Sequence, residues 1–91
     1  MTTLTLNSEP LATGVVFDAA DTFRVSLDDA RELIVPLAWF PRLLNADLAQ
    51  RQNWRLIGRG EGIHWSDIDE DISVLGLIAG YGDTSRRSAA E

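Results

Sequence analysis

The first third of the chain alternates between apolar and polar residues in a way that predicts strands. Residues 22–27 show this most clearly, because their odd-numbered positions are apolar and their even-numbered positions are polar. A period of two is typical of a strand with one buried face. Predicted strands at 13–17 and 31–35 flank this segment, and Asp-containing turns separate the three. We therefore predict an antiparallel three-stranded β-meander that ends at Pro36, which cannot donate to a sheet.

The spacing of apolar residues changes after the third strand. Leu37, Phe40 and Leu44 recur at i, i+3 and i+7, which predicts a short helix with one apolar face. Since Pro41 is tolerated only in the first turn of a helix, this helix should begin near Ala38.

A second short helix and a hairpin follow. Asp47 and Gln50 have the spacing of a capping box, which places the start of the second helix there. Residues 54–57 and 63–65 are the predicted strands of a β-hairpin around a glycine-rich turn. Because this turn lies between two strands and does not open a helix, it is not a phosphate-binding loop.

The last predicted element is a C-terminal helix. It is expected to begin at Asp71 or Ser73 and to continue to about Ala79. Its apolar face is formed by three residues, Ile72, Leu75 and Ile78. The resulting order, βββ–α–α–ββ–α, indicates an α+β fold.

The composition limits the class of protein. With 91 residues, the chain is long enough for one domain and too short for two. We expect this domain at 12–80, after a loose N-terminal segment or edge strand at 1–11 and before a disordered tail at 81–91. The absence of cysteine excludes disulfides and thiolate metal sites. No signal-peptide pattern or apolar run of membrane-spanning length is present, so we expect a cytoplasmic protein.

The charge is negative and unevenly distributed. Eight Arg and 14 acidic residues give a formal net charge of −6 at pH 7. Segments 1–35 and 64–91 each carry −4, whereas segment 36–63 carries +2. Because an acidic chain repels a phosphate backbone, we expect no direct binding to nucleic acid.

The most conspicuous polar feature is an acidic cluster formed by Asp67, Asp69, Glu70 and Asp71. It lacks the central glycine and the twelfth-position Glu of an EF-hand loop, so we predict no metal site. Carboxylates at the start of a helix bind free backbone amides. We expect such a role at the last helix, or salt bridges with Arg42 or Arg51. The alternative is an acidic patch that faces a protein partner.

Two arginines could accompany this cluster. Arg51 and Arg55 lie four residues apart and would form a basic spot if the second helix extended that far. A basic spot beside an acidic patch is typical of protein–protein surfaces. The candidate partner-binding residues are therefore Asp67, Asp69, Glu70, Asp71, Arg51 and Arg55. We assign no catalytic, cofactor-binding or metal-binding residue.

His64 is the single histidine of the chain. As a general acid or base it would need a substrate within reach and an orienting carboxylate, which Asp67 or Asp69 could supply. The alternation of its strand places His64 opposite to Ile63 and Trp65, toward solvent or a helix edge. We predict a hydrogen-bonded structural histidine. The three Trp occupy apolar positions, and we expect them in the core or at its edge.

Four segments together resemble, in order and spacing, the small bacterial family called domain of unknown function 2442. They are PLAWFPRL at 36–43, WRLIG at 54–58, GIHW at 62–65 and DEDISV at 69–74. One turn departs from the family pattern, since the family often has Asp-Gly where this chain has Asp-Asp-Ala at 28–30.

The resemblance covers about 15–80 and implies a compact α+β fold with an N-terminal β-meander and a bacterial or phage-related source. Members are often encoded beside another small protein, in arrangements that resemble toxin–antitoxin pairs. The resemblance therefore implies a binding role. The family has no established catalytic residues, so none are transferred.

Three functional hypotheses follow, in order of preference. The first is a protein-interaction module, antitoxin-like, whose partner is another protein of a basic, toxin-like kind; self-association into a homo-oligomer is compatible with it. The second is an acidic surface that imitates nucleic acid and inhibits a DNA- or RNA-binding protein. The third is an acid–base enzyme that uses His64.

Overall fold

Two antiparallel sheets form the framework of the protein. The structure, a computed structural model, describes residues 9–80. Within that range, each sheet has three strands in chain order. The first sheet contains β1 (Ala12–Val16), β2 (Thr22–Leu27) and β3 (Glu32–Pro36). The second contains β4 (Trp54–Ile57), β5 (Gly62–Trp65) and β6 (Glu70–Ser73).

Short helical segments connect the sheets and follow the second one. A 3-10 turn (Leu37–Trp39), α1 (Pro41–Leu44) and α2 (Leu48–Gln52) lie between β3 and β4. The last helix is α3 (Val74–Ala79). The prediction of an α+β fold with an N-terminal β-meander and a C-terminal helix is confirmed.

The meander turns tightly at the position where the chain departs from the family pattern. Ala30 has φ 76°, in the left-handed region that glycine adopts more easily. Asp29 supports this turn, because its carboxylate accepts hydrogen bonds from the backbone N–H and the guanidinium of Arg31, at 3.2 Å and 2.9 Å. A short polar side chain therefore holds the turn that the family often makes with glycine.

The prediction of a single helix that begins near Ala38 is wrong in detail. Phe40 has φ −130° and ψ 88°, which interrupts the helical path between the 3-10 turn and α1. A proline disfavours the α conformation in the residue before it, which here is Phe40. Pro41 itself occupies the first position of α1. Phe40 and Leu37 are buried as predicted, but Leu44 is exposed.

The capping box of α2 is confirmed. The backbone N–H of Gln50 donates to Asp47 Oδ1 at 2.8 Å, and the backbone N–H of Asp47 donates to Gln50 Oε1 at 3.0 Å. The helix ends at Gln52, with Asn53 as its C-cap. Arg55 consequently lies on β4 and does not extend this helix.

The segment from Glu70 to Ser73 is a strand and not the start of a helix. Its residues alternate between buried and exposed, with Glu70 and Ile72 buried. Asp69 has φ 53° and turns the chain back from β5. The predicted hairpin is therefore two strands of a three-stranded sheet. Of the two predicted starts of the last helix, Asp71 and Ser73, the second is correct. Ser73 caps α3, and its Oγ accepts a hydrogen bond from the backbone N–H of Gly76 at 3.1 Å.

The predicted apolar face of the last helix is also wrong. Because α3 begins at Val74, the residues that face the core are Val74 and Leu77. Leu75 and Ile78 lie on the outer side, with 48% and 40% of their surfaces exposed. The two pairs share a spacing of three residues, so periodicity alone cannot distinguish them.

The core contains the inward-facing side chains of both sheets. Trp65 is fully buried and lies edge-to-face against Phe23 and Phe17, with ring centroids 6.4 Å apart in each pair. Trp54 is half-buried and packs against this core, as predicted. Trp39, by contrast, has 37% of its surface exposed and lies outside it.

Backbone hydrogen bonds tie the first sheet to neighbouring elements. The backbone N–H of Ala12 donates to the carbonyl of Gly60, in the β4–β5 turn, at 2.8 Å. At the opposite end of the meander, the N–H of Leu37 donates to the carbonyl of Asp21 at 2.8 Å. Predictions for residues 1–8 and 81–91 lie outside the described residues. From 9 to 80, no helix has the length and apolar character needed to cross a membrane.

Candidate interaction surface

The residues of the acidic cluster do not converge. Asp67 Oδ2 accepts a hydrogen bond from Asn53 Nδ2 at 3.0 Å. Glu70 is buried, on the face of β6 that it shares with Trp65 across the β5–β6 pair. Asp71 is exposed and lies on the opposite face of that strand. Glu70 and Asp71 therefore lie on opposite faces of the sheet, and no acidic residue lies in the first turn of α3.

The arginines expected to pair with this cluster bind backbone carbonyls. Arg42 Nη1 donates to the carbonyl oxygen of Asp69 at 2.6 Å. Arg51 donates to the carbonyls of Leu43 and Leu44, both at 3.0 Å. A cation on the last carbonyls of a helix binds groups that lack an intrahelical partner. Arg51 thus completes the end of α1.

Three charged or ionisable side chains lie in one row across the second sheet. In the strand register, Arg55 of β4 lies opposite His64 of β5, and His64 lies opposite Asp71 of β6. Residues that are directly opposite share a face of the sheet. We call Arg55, His64 and Asp71 the polar row. Arg55 and Asp71 are exposed, whereas His64 is half-buried between them.

The pairing of His64 with Asp71 follows from the hydrogen-bond pattern of the sheet. The backbone N–H of Val74 donates to the carbonyl of Glu61 at 3.0 Å. In an antiparallel pair, hydrogen-bonded and non-hydrogen-bonded positions alternate, so His64 and Asp71 form a non-hydrogen-bonded pair. Side chains are closest at such pairs. His64 Nδ1 accordingly forms a hydrogen bond with Asp71 Oδ1.

The expected orientation of His64 is confirmed, but its expected carboxylate is not. Ile63 and Trp65 are fully buried and His64 points to the other face, as the alternation predicts. The carboxylate on its ring is Asp71, and neither Asp67 nor Asp69 occupies that position. The register of β5 against β6 decides this, because it places Asp71 directly across the strand pair.

Most other acidic side chains in the described part of the chain have local partners. Arg24 Nη2 lies 2.5 Å from Asp18 Oδ2, and Arg24 Nη1 lies 3.4 Å from Glu32 Oε1. A side-chain hydrogen bond from Arg31 lowers the pKa of the Asp29 carboxyl below its ordinary value. Three acidic residues of the meander and its turns, Asp18, Asp29 and Glu32, are thus paired with arginines nearby.

Glu61 stabilises the β4–β5 turn. Its Oε1 accepts from the backbone N–H of Arg59 at 2.8 Å, and this hydrogen bond lowers the pKa of the Glu61 carboxyl. The carboxylate therefore contributes stability that is present above its ordinary pKa of 4.5 and is lost as the pH falls through the lowered value.

A charge-removing variant, Glu61→Gln, should unfold at a slightly lower temperature than the wild type at pH 7. The difference should vanish in acid, because both side chains are then uncharged. Thermal unfolding of the wild type and the variant, followed by circular dichroism, measures the difference in unfolding temperature at pH 7 and at about pH 2. A difference that persists unchanged in acid would show that the charge of Glu61 is not the cause.

An apolar surface lies on the helix beside this sheet. Leu75 and Ile78 are one turn apart on the outer side of α3, and we call them the α3 pair. The alternation of β6 also leaves Asp71 exposed shortly before the helix begins. Sequence reasoning misses the α3 pair, because the periodicity of the segment predicts that both residues face the core.

Among residues 9–80, no group of three or more His, Cys, Asp or Glu side chains could hold a metal ion. The hydroxyl of Ser73, on the same face of the sheet as His64, accepts a hydrogen bond as the cap of α3. The geometry therefore presents a charged row on the second sheet and an apolar pair on α3, both with exposed side chains.

Comparison with known proteins now fixes the family. Residues 12–83 match the family described as "Protein of unknown function (DUF2442)". The chain belongs to the DUF2442 family. A similar solved structure is the crystal structure of a protein of unknown function from Rhodospirillum rubrum ATCC 11170. It has 28% sequence identity and a TM-score of 0.73, with coverage of 84% of this chain and 93% of that one.

Curated proteins give no match to this member of the DUF2442 family. The family and the solved structure thus support the fold and leave the function to be argued from the surface. A fold does not by itself imply a function, since function depends on the side chains at a site.

Proposed function

We propose that this DUF2442 protein is a protein-binding module that acts without catalysis, as the antitoxin-like member of a pair of small proteins. The partner is a basic protein, and it contacts the outer side of α3. The observation that carries the proposal is the exposure of Leu75 and Ile78 on a helix whose other face is buried in the core.

The α3 pair is held rigidly enough to serve as a binding surface. A helix of six residues is too short to be stable alone. Here Val74 and Leu77 anchor it in the core, Ser73 caps its start, and Gly80 ends it in the left-handed conformation with φ 88°. Two apolar side chains that are already ordered lose little conformational entropy when a partner covers them.

The charge of the chain favours a basic partner. The formal net charge of the chain is −6. Complementary charge accelerates association and disfavours acidic competitors. An apolar pair on an acidic chain therefore fits a basic, partly apolar surface.

The two rival hypotheses have less support from the geometry. Imitation of nucleic acid needs acidic groups that are available on one face, whereas Asp18, Asp29 and Glu32 contact arginines of the same sheet. Acid–base catalysis needs a substrate within reach as well as an orienting carboxylate, and the hydrogen bond between His64 and Asp71 supplies the carboxylate alone.

The test uses the purified full-length chain and the purified product of the neighbouring gene. A double variant, Leu75→Gln with Ile78→Gln, removes the apolar pair and keeps good helix formers on α3. We expect its affinity to fall at least about tenfold, because each half-exposed side chain contributes on the order of 1 kcal/mol when it is covered. Isothermal titration at low salt measures the change.

A matched control is Ile34→Gln, on the outer face of β3. Ile34 is more exposed than either member of the α3 pair, with 67% of its surface accessible. The control should bind like the wild type. No binding by the wild-type chain at low salt, or an equal loss in the control and the double variant, would refute the proposal.

A further inference from the structure

We infer that a second copy of this chain binds to the outer face of the second sheet, as a two-fold symmetric dimer. The face is exposed at Arg55, Ile57, Asp71 and Ser73, and it does not include the α3 pair. Its centre is the polar row, Arg55, His64 and Asp71, one residue from each strand. The inference goes beyond the proposed function and does not depend on it.

The order of charges across the sheet is self-complementary. Arg55 carries a positive charge on the outer strand β4, and Asp71 carries a negative charge on the outer strand β6. His64 lies between them on β5. In an isologous interface the same patch meets itself, so it must offer both members of each contact. A row with an arginine at one end and an aspartate at the other meets this requirement.

The symmetry axis follows from this order. A two-fold axis between the two faces and parallel to β5 exchanges the left and right sides of the sheet. It therefore places β4 of one copy across from β6 of the other, and Arg55 of each copy across from Asp71 of its mate. Facing sheets pack about 10 Å apart. An extended arginine and an aspartate span that distance together, and the two His64 rings meet at the axis.

The neighbouring positions on this face are compatible with close approach. Ile57 and Ser73 are exposed at its two edges, and Gly62, between them, is buried and has no side chain of its own. The side chain of Ile57 lies against Gly62, since a Cβ added there would be 3.1 Å from Ile57 Cδ1. The face is thus charged along one row and apolar or small along the next.

The size of the face sets the expected affinity. Three strands about 4.8 Å apart and four residues long cover roughly 14 Å by 14 Å. This is well below the roughly 800 Å² per partner of a standard interface. We therefore expect a weak dimer that forms at high micromolar concentration or above and weakens with salt.

Charge reversal tests the inference. The variants Arg55→Asp and Asp71→Arg should each remain monomeric, because like charges then face each other at both contacts. An equimolar mixture of the two should form a heterodimer, since the first variant is acidic at both positions and the second is basic at both. Sedimentation equilibrium from about 10 µM to about 1 mM at low salt measures the wild type, the two single variants and their mixture. We expect the single variants to dimerise at least about tenfold more weakly than the wild type or the mixture.

Controls separate this effect from misfolding and from the α3 surface. Near-ultraviolet circular dichroism of the buried Trp65 shows whether each variant keeps its packing, because Asp71→Arg also removes the hydrogen bond to His64. Arg31→Asp, which reverses a charge at the β2–β3 turn, and the α3 double variant should self-associate like the wild type. A wild-type chain that stays monomeric to about 1 mM, or a mixture that fails to associate while the wild type does, would overturn the inference.

Discussion

Replacement of Gly60 by alanine is expected to lower the free energy of unfolding by about 3 kcal/mol or more. Gly60 is buried and has φ 115°, which an L-residue with a side chain rarely adopts. An added Cβ would also meet the carbonyl oxygen of Ala12, with the nitrogen of Ala12 at 3.0 Å and Cβ of Leu11 at 3.2 Å. Two of these three neighbours are backbone atoms, which cannot move away as a flexible side chain can.

The damage should extend beyond the turn. The carbonyl of Gly60 accepts the 2.8 Å hydrogen bond from the backbone N–H of Ala12, which joins the first sheet to the β4–β5 turn. Movement of Ala12 away from a new methyl group would weaken this bond. The substitution therefore strains the backbone, crowds its neighbours and weakens a connection between the two sheets at once.

Two other glycines provide matched controls. Gly80 has φ 88° but open space where a methyl group would be added, so Gly80→Ala measures the cost of the backbone conformation alone, about 1 kcal/mol. Gly14 has open space and no positive φ, so Gly14→Ala should change stability by less than about 1 kcal/mol. Urea unfolding should rank the losses as Gly60 first, Gly80 second and Gly14 last. A Gly60 variant as stable as the Gly14 variant would contradict the argument.

The meander could be predicted from the sequence because its local signals agree. In β2, β-branched and aromatic residues alternate with polar ones, and every inward residue is buried. Strand β6 gives no such signal. Two of its four residues are acidic, only Ile72 is apolar, and the turn before it depends on a positive φ at Asp69. Tertiary packing against β5 makes this segment a strand, and a scan of local propensity does not include that packing.

For the candidate site, the sequence predicts which residues are candidates and which face of a strand they occupy, but not which of them contact each other. Alternation alone places His64 on the outer face of its strand. Its contact with Asp71 depends on the register between two strands, which is set by the four-residue turn that ends at Asp69. Arg51 shows the same limit, because its carbonyl partners lie on a different helix. Residue types identify the candidates, and register decides which of them meet.

The second large effect concerns Trp65, the aromatic residue at the centre of the core. Replacement by alanine is expected to lower the free energy of unfolding by about 3–5 kcal/mol, a large share of the stability of so small a domain. The indole is fully buried and lies edge-to-face against Phe17 and Phe23, so its removal leaves a cavity between the two sheets.

A smaller substitution separates packing from hydrogen bonding. Trp65 Nε1 donates to the carbonyl of Arg51 at 2.8 Å, which joins β5 to the end of α2. Trp65→Phe keeps an aromatic ring but leaves that carbonyl without this donor, so we expect a loss of about 1–3 kcal/mol. Trp39→Phe is the matched control, because Trp39 lies outside the core and its replacement should cost less than about 1 kcal/mol.

Urea unfolding of the three variants tests the ranking directly. The alanine variant should be the least stable, the Trp65→Phe variant intermediate and the Trp39→Phe variant close to the wild type. If Trp65→Phe were as stable as Trp39→Phe, the bond to Arg51 would contribute nothing measurable. If Trp65→Ala were also close to the wild type, the two sheets would not share the core described above. Both proposed binding surfaces lie on elements that this core positions, so their geometry depends on the same side chain.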